Sequence, residues 1–430
     1  MNVLWITNFV LPQIAERVNC TAGVNEGWLA GLCDVILQQQ EVVLGVCFPN
    51  KTRIGGKIND QLFFYSYEPE GKYGKYVKEQ EATFKRIYND FHPDVIHIMG
   101  SEFPHSLAAV NASIEKELID NTVLSIQGLV SVYCNYFYEG VPLQTILCPT
   151  VKDIIKRTAL CIEKKRFSRR GEYEIETISK LRNIIGRTDW DYACAKEINN
   201  NIRYFFNNET LRKEFYQDEI WNYNMCEKHS IFISQATMPF KGFHTFLVAA
   251  GLVKKRYPDM KIYVASNVNY LKRVKSWSQT RSAYTNYIIK LAKKYNLEDS
   301  IVFCGALSAE KMKERYLKSN VFVLPSAIEN SPNSLGEAMI LGLPIVTSDV
   351  GGIMSMITHE REGFVCQYNA PYMFAHYIMR FFEEGEKASA YGVKAREHAR
   401  STHDGQKNYN ALLSIYREIS LNRNEKKIGE

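Results

Sequence analysis

Two glutamates eight positions apart, Glu329 and Glu337, stand on either side of a segment that is expected to begin a helix. Between them, SPNSLG from residue 331 offers a serine as helix N-cap and then a proline at the first helical position. With a glycine at 342 as the stop, the pattern predicts a helix over residues 332–341. Its first turn would present N–H groups and the positive end of the helix dipole to an anion such as a diphosphate, the groups being those of Asn333, Ser334 and Leu335.

Carboxylates on both sides of a bound diphosphate indicate a ligand that carries hydroxyl groups on both sides of its phosphates. A carboxylate repels phosphate oxygens, but it accepts hydrogen bonds from paired sugar hydroxyls. A nucleotide sugar has this structure, so we expect Glu337 to bind the ribose and Glu329 the donor sugar. The alternatives are a capping or salt-bridging role for Glu337 and a solvent-facing loop position for Glu329.

Short apolar strands alternate with amphipathic helices along the chain, which is typical of parallel sheets covered on both faces. The fold class is therefore α/β, with two Rossmann-like, doubly wound domains facing a cleft, where the active site is expected. We place the first domain and a connector at residues 1–228, the second domain at 229–403 and a helix that packs toward the first domain at 404–430. The predicted strands are residues 3–7, 41–47, 61–66, 95–99, 123–127, 183–187, 230–234, 261–265, 301–304, 321–324 and 344–347, and the predicted helices include 28–39, 76–91, 204–216 and 404–421.

The composition bounds the class of protein. With 430 residues the chain has room for two domains, and its net charge of +6 is too small for a dedicated nucleic-acid binder. No window of about 18 uncharged apolar residues indicates a membrane span, and the first residues lack the pattern of a signal peptide. Ten cysteines without C-x-x-C pairs or metal-ligand spacing favour reduced thiols in a cytoplasmic protein, and they argue against a zinc site.

The segment PSAIENSPNSLGEAMILGLPIVTSDVGG, from residue 325, resembles along its whole length the signature of retaining glycosyltransferases of the GT-B fold, in particular glycosyltransferase family 4. SQATMPFKGFH, from residue 234, is similar to the turn where that family places a basic pair against the donor diphosphate. Lys241 matches the lysine of the pair, whereas Gln235 and Ala236 stand where its arginine is expected. The resemblance implies that Lys241 neutralises the leaving diphosphate and acts in catalysis together with Glu329, the alternative for Lys241 being a solvated surface position. With the helix dipole and this lysine in place, neither a metal nor another cofactor is expected.

Candidates for the acceptor side lie at strand ends of the first domain. Gln127 stands near where family members often carry a histidine that touches the transferred sugar. Arg187 would pair either with an acceptor phosphate or with Asp191. The other candidates are Gly23 and Gly27, in a turn where backbone could approach a ligand or merely connect strand to helix, and Glu102 and His105, which follow the strand at 95–99.

The resemblance implies transfer of a sugar from a UDP- or GDP-sugar to a saccharide or lipid-linked saccharide acceptor, in capsular, exopolysaccharide or other cell-surface glycan synthesis. The alternatives are a sugar-nucleotide epimerase of the same fold and a non-catalytic protein that binds sugar nucleotides or glycans. Basic clusters at 254–256 and 272–277, and the aromatic and basic stretch at 71–88, are either solvated faces or contacts with anionic lipid at the inner membrane surface.

Overall fold

The computed structural model describes residues 1–20, 27–71, 74–266, 270–271 and 281–428, with side chains through residue 421. The chain forms two compact units. Unit 1 comprises Met1–Val132, Arg166–Arg212 and Thr402–Glu430, and unit 2 comprises Tyr133–Lys165 and Lys213–Ser401. Tyr133–Lys165 and residues 213–228, which the sequence placed with the first domain, thus belong to unit 2.

Fourteen strands form the two sheets of the described chain. They are β1 (Asn2–Ile6), β2 (Val43–Pro49), β3 (Gly55–Lys57), β4 (Leu62–Tyr67), β5 (Val95–Met99), β6 (Thr122–Ser125), β7 (Asn183–Gly186), β8 (Arg203–Phe206), β9 (Ser230–Ile233), β10 (Lys261–Val264), β11 (Ile301–Phe303), β12 (Val321–Leu324), β13 (Ile345–Ser348) and β14 (Phe364–Cys366).

The described helices run between these strands. They are α1 (Pro12–Ala15), α2 (Gly27–Gln38), α3 (Glu79–Phe91), α4 (Pro104–Glu115), α5 (Val130–Tyr133), α6 (Leu143–Leu147), α7 (Val151–Lys156), α8 (Leu160–Lys180), α9 (Asp189–Ile198), α10 (Phe243–Arg256), α11 (Ala283–Lys294), α12 (Ala309–Lys318), α13 (Asn333–Ile340), α14 (Pro371–Glu384), α15 (Ser389–Thr402) and α16 (Gly405–Ile428). Among the described residues, none of these helices is long and apolar enough to cross a membrane.

Each unit contains one doubly wound sheet. In unit 1 the strand order is β3-β4-β2-β1-β5-β6-β7-β8, and β3 is antiparallel to its neighbour. In unit 2 the order is β11-β10-β9-β12-β13-β14. Strands β1, β5, β9, β12 and β13 are almost wholly buried, as expected for parallel strands with helices on both faces. The winding reverses between β1 and β5 in unit 1 and between β9 and β12 in unit 2, and ligands bind at such points in open α/β sheets.

The helix predicted over residues 204–216 is wrong. Arg203–Phe206 is an edge strand parallel to β7, and Lys213–Tyr216 is a single 3₁₀ turn. Tyr204, Phe205 and Phe206 favour a strand, and two asparagines then break the pattern. The apolar spacing that resembled a helix arises because a strand and a separate turn follow one another.

Helix α16 packs its buried residues, among them Tyr409 and Tyr416, into the core of unit 1. The Trp5 indole N–H donates to the Tyr416 hydroxyl at 3.0 Å, and that hydroxyl lies 2.6 Å from His97 Nδ1. On the other side of the ring, His97 Nε2 lies 2.7 Å from Ser125 Oγ. Burial lowers the pKa of His97 to about 3, so the ring is neutral and fixes the helix to β1, β5 and β6.

Tyr416→Phe is expected to lower the free energy of unfolding by about 2 kcal/mol, because it leaves the buried Trp5 N–H and His97 Nδ1 unpaired. Urea denaturation measures the loss. Tyr409→Phe is the matched control on the same helix, since the buried Tyr409 hydroxyl has no hydrogen-bond partner in the described structure. A loss of equal size in both variants would contradict the assigned network.

Candidate active site

Lys241 and Glu329, which the family resemblance singled out, lie close together at the switch point of the unit 2 sheet, where its winding reverses. Lys241 ends a 3₁₀ turn, Pro239–Lys241, that follows β9, and Glu329 lies in the loop after β12. Because β9 and β12 are adjacent and parallel, their carboxyl ends lie side by side. The sheet order therefore brings together two residues that are 88 positions apart.

Lys241 and Glu329 form a buried ion pair. The lysine Nζ lies 2.7 Å from Glu329 Oε1, and the two side chains are 16% and 6% exposed. The Ser326 hydroxyl donates to the same oxygen at 2.7 Å, and Ser326 is fully buried. Glu329 is therefore not the solvent-facing acid of the alternative interpretation, and Lys241 is not a solvated surface lysine. Such a charged pair tolerates burial only because each charge has a close partner.

Backbone contacts between three loops fix this pair. The N–H of Ala327 donates to the Phe240 carbonyl at 2.7 Å, which joins the loop after β12 to the turn after β9. Gly242 has φ +72°, and a Cβ there would lie 1.8 Å from the Pro325 carbonyl oxygen. Gly351 has φ +53°, with a Cβ position 1.9 Å from the Glu329 carbonyl oxygen, which accepts the N–H of Gly352 at 3.0 Å. The glycines are required because backbone passes where a side chain would stand.

The helix after Glu329 begins one residue later than the sequence indicated. Pro332 is the N-cap, with no side-chain capping bond, and α13 runs from Asn333 to Ile340. The N–H of Leu335 donates to the Pro332 carbonyl at 2.9 Å. This group was expected to bind an anion, but its bond to Pro332 makes it unavailable. The start of α13 therefore offers fewer N–H groups to an anion than the sequence predicted.

The end of α13 and its second turn follow the expected pattern more closely. Gly342 adopts the left-handed conformation, with φ +71°. Glu337 lies on the second turn of the helix and is 5% exposed. The side chain is therefore enclosed rather than solvated, as a ligand-binding or a salt-bridging carboxylate would be.

In unit 1 the structure joins two acceptor-side candidates through a residue that the sequence did not single out. Glu209 receives the Gln127 side-chain N–H at 2.6 Å and pairs with Arg187 at 2.6 Å. The ion partner of Arg187 is thus Glu209, and Asp191 instead accepts the backbone N–H of Arg187. These side chains line a small cavity together with Trp28. The helix predicted at 204–216 concealed Glu209, because it placed this residue on a solvated face.

Glu102 follows β5 at the switch point of unit 1 and accepts the N–H of Gly128 at 3.1 Å. Burial raises its pKa to about 7, and the nearby Glu174 carboxylate adds to the rise. Glu174, on α8, accepts from the Ser131 N–H at 2.9 Å and from the Ser101 hydroxyl at 2.8 Å. It therefore ties the start of α5 to the loop that follows β5. No sequence signal marked Glu174, since it lies on a helix some 40 residues further along the chain than Ser131.

The remaining candidates differ in what surrounds them. His105 is buried, with its ring 5.0 Å from that of Tyr67, and burial lowers its pKa to about 3, so it is a neutral ring. A Cβ on Gly27 would lie 2.5 Å from Arg212 Cγ, which explains the glycine by packing. Gly23 lies outside the described residues. Among the described residues, no group of three or more His, Cys, Asp or Glu side chains is arranged to hold a metal.

The unit 2 site offers a buried cation, a carboxylate held by it and a helix start, all at one edge of the sheet. A cation and helix N–H groups stabilise negative charge that develops on a leaving phosphate. The carboxylate can orient hydroxyl groups beside that charge. The arrangement is suited to binding a phosphorylated sugar and to breaking its bond to phosphate.

Comparison with known proteins agrees with this chemistry. Residues 217–398 match the family model described as glycosyl transferases group 1. YtcC of Bacillus subtilis, provisionally named a glycosyltransferase, is 25% identical over 207 residues, which are 47% of this chain and 48% of YtcC. The chain spans about half or less of the length of the curated relatives it matches. The residues that match the family model all lie within unit 2.

Solved structures share the fold over nearly the whole chain. Sucrose-phosphate synthase from Thermosynechococcus elongatus superposes with a TM-score of 0.71 at 15% identity, over 97% of this chain and 99% of that one. Anabaena HepE, in complex with UDP-glucose, gives a TM-score of 0.65 at 11% identity, over 97% and 100%. The fold is therefore GT-B, with two Rossmann-like domains.

Proposed function

We propose that this protein is a retaining glycosyltransferase that moves a sugar from a UDP- or GDP-linked donor to a saccharide or lipid-linked saccharide acceptor, in the synthesis of a cell-surface glycan. The observation that carries the proposal is the buried Lys241–Glu329 pair at the switch point of the unit 2 sheet. The group 1 match over residues 217–398 supports it, and so does the shared fold of HepE, whose complex contains UDP-glucose.

In this proposal each residue of the site has one role. Lys241 and the start of α13 hold the diphosphate and stabilise the charge that it gains as its bond to the anomeric carbon breaks. The described bonds to the Glu329 carboxylate go to Oε1, which leaves Oε2 to accept a hydroxyl of the donor sugar. Glu337 accepts the ribose hydroxyls.

Retention follows if the acceptor oxygen attacks the face that the phosphate leaves. The acceptor oxygen forms its bond to the anomeric carbon while the carbon–phosphate oxygen bond breaks, and the acceptor proton passes to the departing phosphate. The departing phosphate is therefore the proposed base. Lys241 and the helix dipole supply the stabilising charge, and we therefore propose that turnover needs no metal and persists in a chelator.

Thermal unfolding with UDP, GDP and ADP tests the donor site. A nucleotide that binds only the folded protein adds roughly 2.7 kcal/mol of stability at about 100 times its dissociation constant, which raises the unfolding midpoint. We expect one nucleotide to give this shift and Glu337→Ala to abolish it. Glu397→Ala, which removes an exposed carboxylate from α15, is the matched control and keeps the shift.

The outcomes separate the proposal from its alternatives. Turnover of the matching sugar nucleotide only in the presence of a saccharide acceptor supports transfer, and NMR of the product shows whether the anomeric configuration is kept. Conversion of the donor sugar without acceptor would instead indicate an epimerase. Binding without turnover would indicate a sugar-nucleotide-binding protein, and no shift with any nucleotide would contradict the donor site.

A further inference from the structure

Unit 2 carries an exposed aliphatic surface that the proposed reaction does not use. It lies on α6 and α7, within Tyr133–Lys165, the segment that joins unit 2 from the first half of the sequence. Five large aliphatic side chains within 13 residues are more than half exposed, a density that marks contact surfaces in soluble proteins. We call them the aliphatic tip: Leu143 (67%), Leu147 (66%), Val151 (54%), Ile154 (61%) and Ile155 (69%).

The polar side of α7 is fixed to the rest of unit 2. Asp153 is buried, and its carboxylate accepts the N–H of Ala283 at 2.8 Å, at the first residue of α11. Thr150 caps α7 and donates its hydroxyl to the Arg281 carbonyl at 3.0 Å. The apolar positions of α7 follow i, i+3 and i+4 spacing and therefore occupy the opposite side of the helix from Asp153. The hydrogen bonds of Asp153 and Thr150 therefore keep the aliphatic side of α7 facing outward.

Positive charge predominates in the segment that carries the tip. In residues 143–165 five basic side chains stand against two acids, and one of the acids is the buried Asp153. Lys152 borders the apolar face of α7 and Lys156 ends the helix, and long side chains of this kind can hold their ammonium groups beside an apolar surface. The five basic residues are Lys152, Lys156, Arg157, Lys164 and Lys165.

We propose that the aliphatic tip docks on an anionic lipid bilayer. Aliphatic side chains on one face and lysines at its border are the combination that inserts into the headgroup region of an acidic membrane. A second copy of the chain fits less well, because a symmetric contact through this surface would bring the same positive charges together. The proposal rests on the surface alone and is independent of the proposed transfer reaction.

The basic cluster at 254–256, which the sequence offered for lipid contact, is engaged within the protein. Lys254 donates to the Pro258 carbonyl at 2.5 Å and to Ser300 Oγ at 2.7 Å, and Arg256 pairs with Glu383 at 3.1 Å. It also has only one exposed aliphatic neighbour on its helix, Leu252. Residues 272–277 lie outside the described residues.

Sedimentation with vesicles of equal parts phosphatidylglycerol and phosphatidylcholine tests the proposal against pure phosphatidylcholine. The full chain is expected to bind the acidic vesicles and to lose affinity as salt is added. Leu147→Glu combined with Ile155→Glu should lower the partition coefficient at least about tenfold, because two charges then replace inserted aliphatic groups. Lys152→Ala combined with Lys156→Ala should lower it by about fivefold for each lysine.

Tyr372→Glu combined with Val393→Glu is the matched control, since both side chains are exposed in unit 2 (62% and 53%) and neither belongs to the tip. It should bind vesicles as the wild type does. All variants should keep the wild-type unfolding midpoint and any nucleotide-induced shift, which separates this test from the donor site. Equal binding by the tip variant and the control, no binding by the wild type, or a dimer that the tip substitutions dissociate would each overturn the proposal.

Discussion

Lys241→Met is expected to lower kcat by about 10²- to 10³-fold, because in the proposed reaction the leaving diphosphate then loses the positive charge of this lysine. Methionine keeps the length and the apolar stem of the lysine. Lys241→Arg keeps the charge and should retain much more of the turnover. Steady-state kinetics with the nucleotide sugar that binds measure the effect. A Lys241→Met enzyme within about threefold of wild-type kcat would contradict the role assigned to the lysine.

The same substitution should also destabilise unit 2, by about 3 kcal/mol, because it leaves the Glu329 carboxylate buried without its cation. Adding Glu329→Gln removes the stranded charge and should restore most of that stability, while turnover stays low. The double-mutant cycle therefore separates folding from catalysis. If stability and turnover recovered together, the effect of Lys241→Met on rate would be a consequence of misfolding alone.

The core of the candidate site was predictable because it depends on sheet order and on local backbone. Alternating strands and helices give a doubly wound sheet, and residues that follow adjacent parallel strands must then be neighbours. Lys241 and Glu329 meet for this reason. The glycines at 242 and 351 were visible as well, although only the structure shows that carbonyl oxygens of Pro325 and Glu329 occupy the space of their missing side chains.

Contacts between segments that are distant along the chain could not be predicted from the sequence. The partner of Arg187 was sought four residues away at Asp191, yet the ion pair is with Glu209, 22 positions further along the chain. Glu174 reaches the start of α5 from a long helix. The segment Tyr133–Lys165 joins unit 2 through side chains such as Asp153, and no local pattern encodes this choice. Helical periodicity cannot show which surface a helix face will meet.

The half-buried Glu102 leads to the second large expected effect, a loss of stability on going from acidic to mildly alkaline pH. Its pKa is about 7 in the folded protein, first because of burial and then because of Glu174, against 4.5 when unperturbed. Between these values the folded protein holds a proton that the unfolded chain has released, so stability falls as the pH rises. The contribution of this group is fully present below about pH 4.5 and is lost as the pH passes 7.

Glu102→Gln should remove this pH dependence, because glutamine still accepts the N–H of Gly128 but carries no charge to bury. At pH 8 the variant is expected to be more stable than the wild type by about 2 to 3 kcal/mol, from the free energy of a shift of roughly two units. At pH 4.5 the two should unfold alike. Urea denaturation across this range gives the curves, with Glu197→Gln, an exposed acid of unit 1, as control.

Parallel stability curves for the wild type and Glu102→Gln would contradict a protonated carboxyl at this position. If Glu102→Gln is more stable than the wild type at pH 8 by more than the expected amount, Glu174 also changes its protonation, since two carboxyls this close titrate as a pair. Glu174→Gln separates the two cases. It removes the charge that raises the pKa of Glu102, so the pH at which stability is lost should move downward.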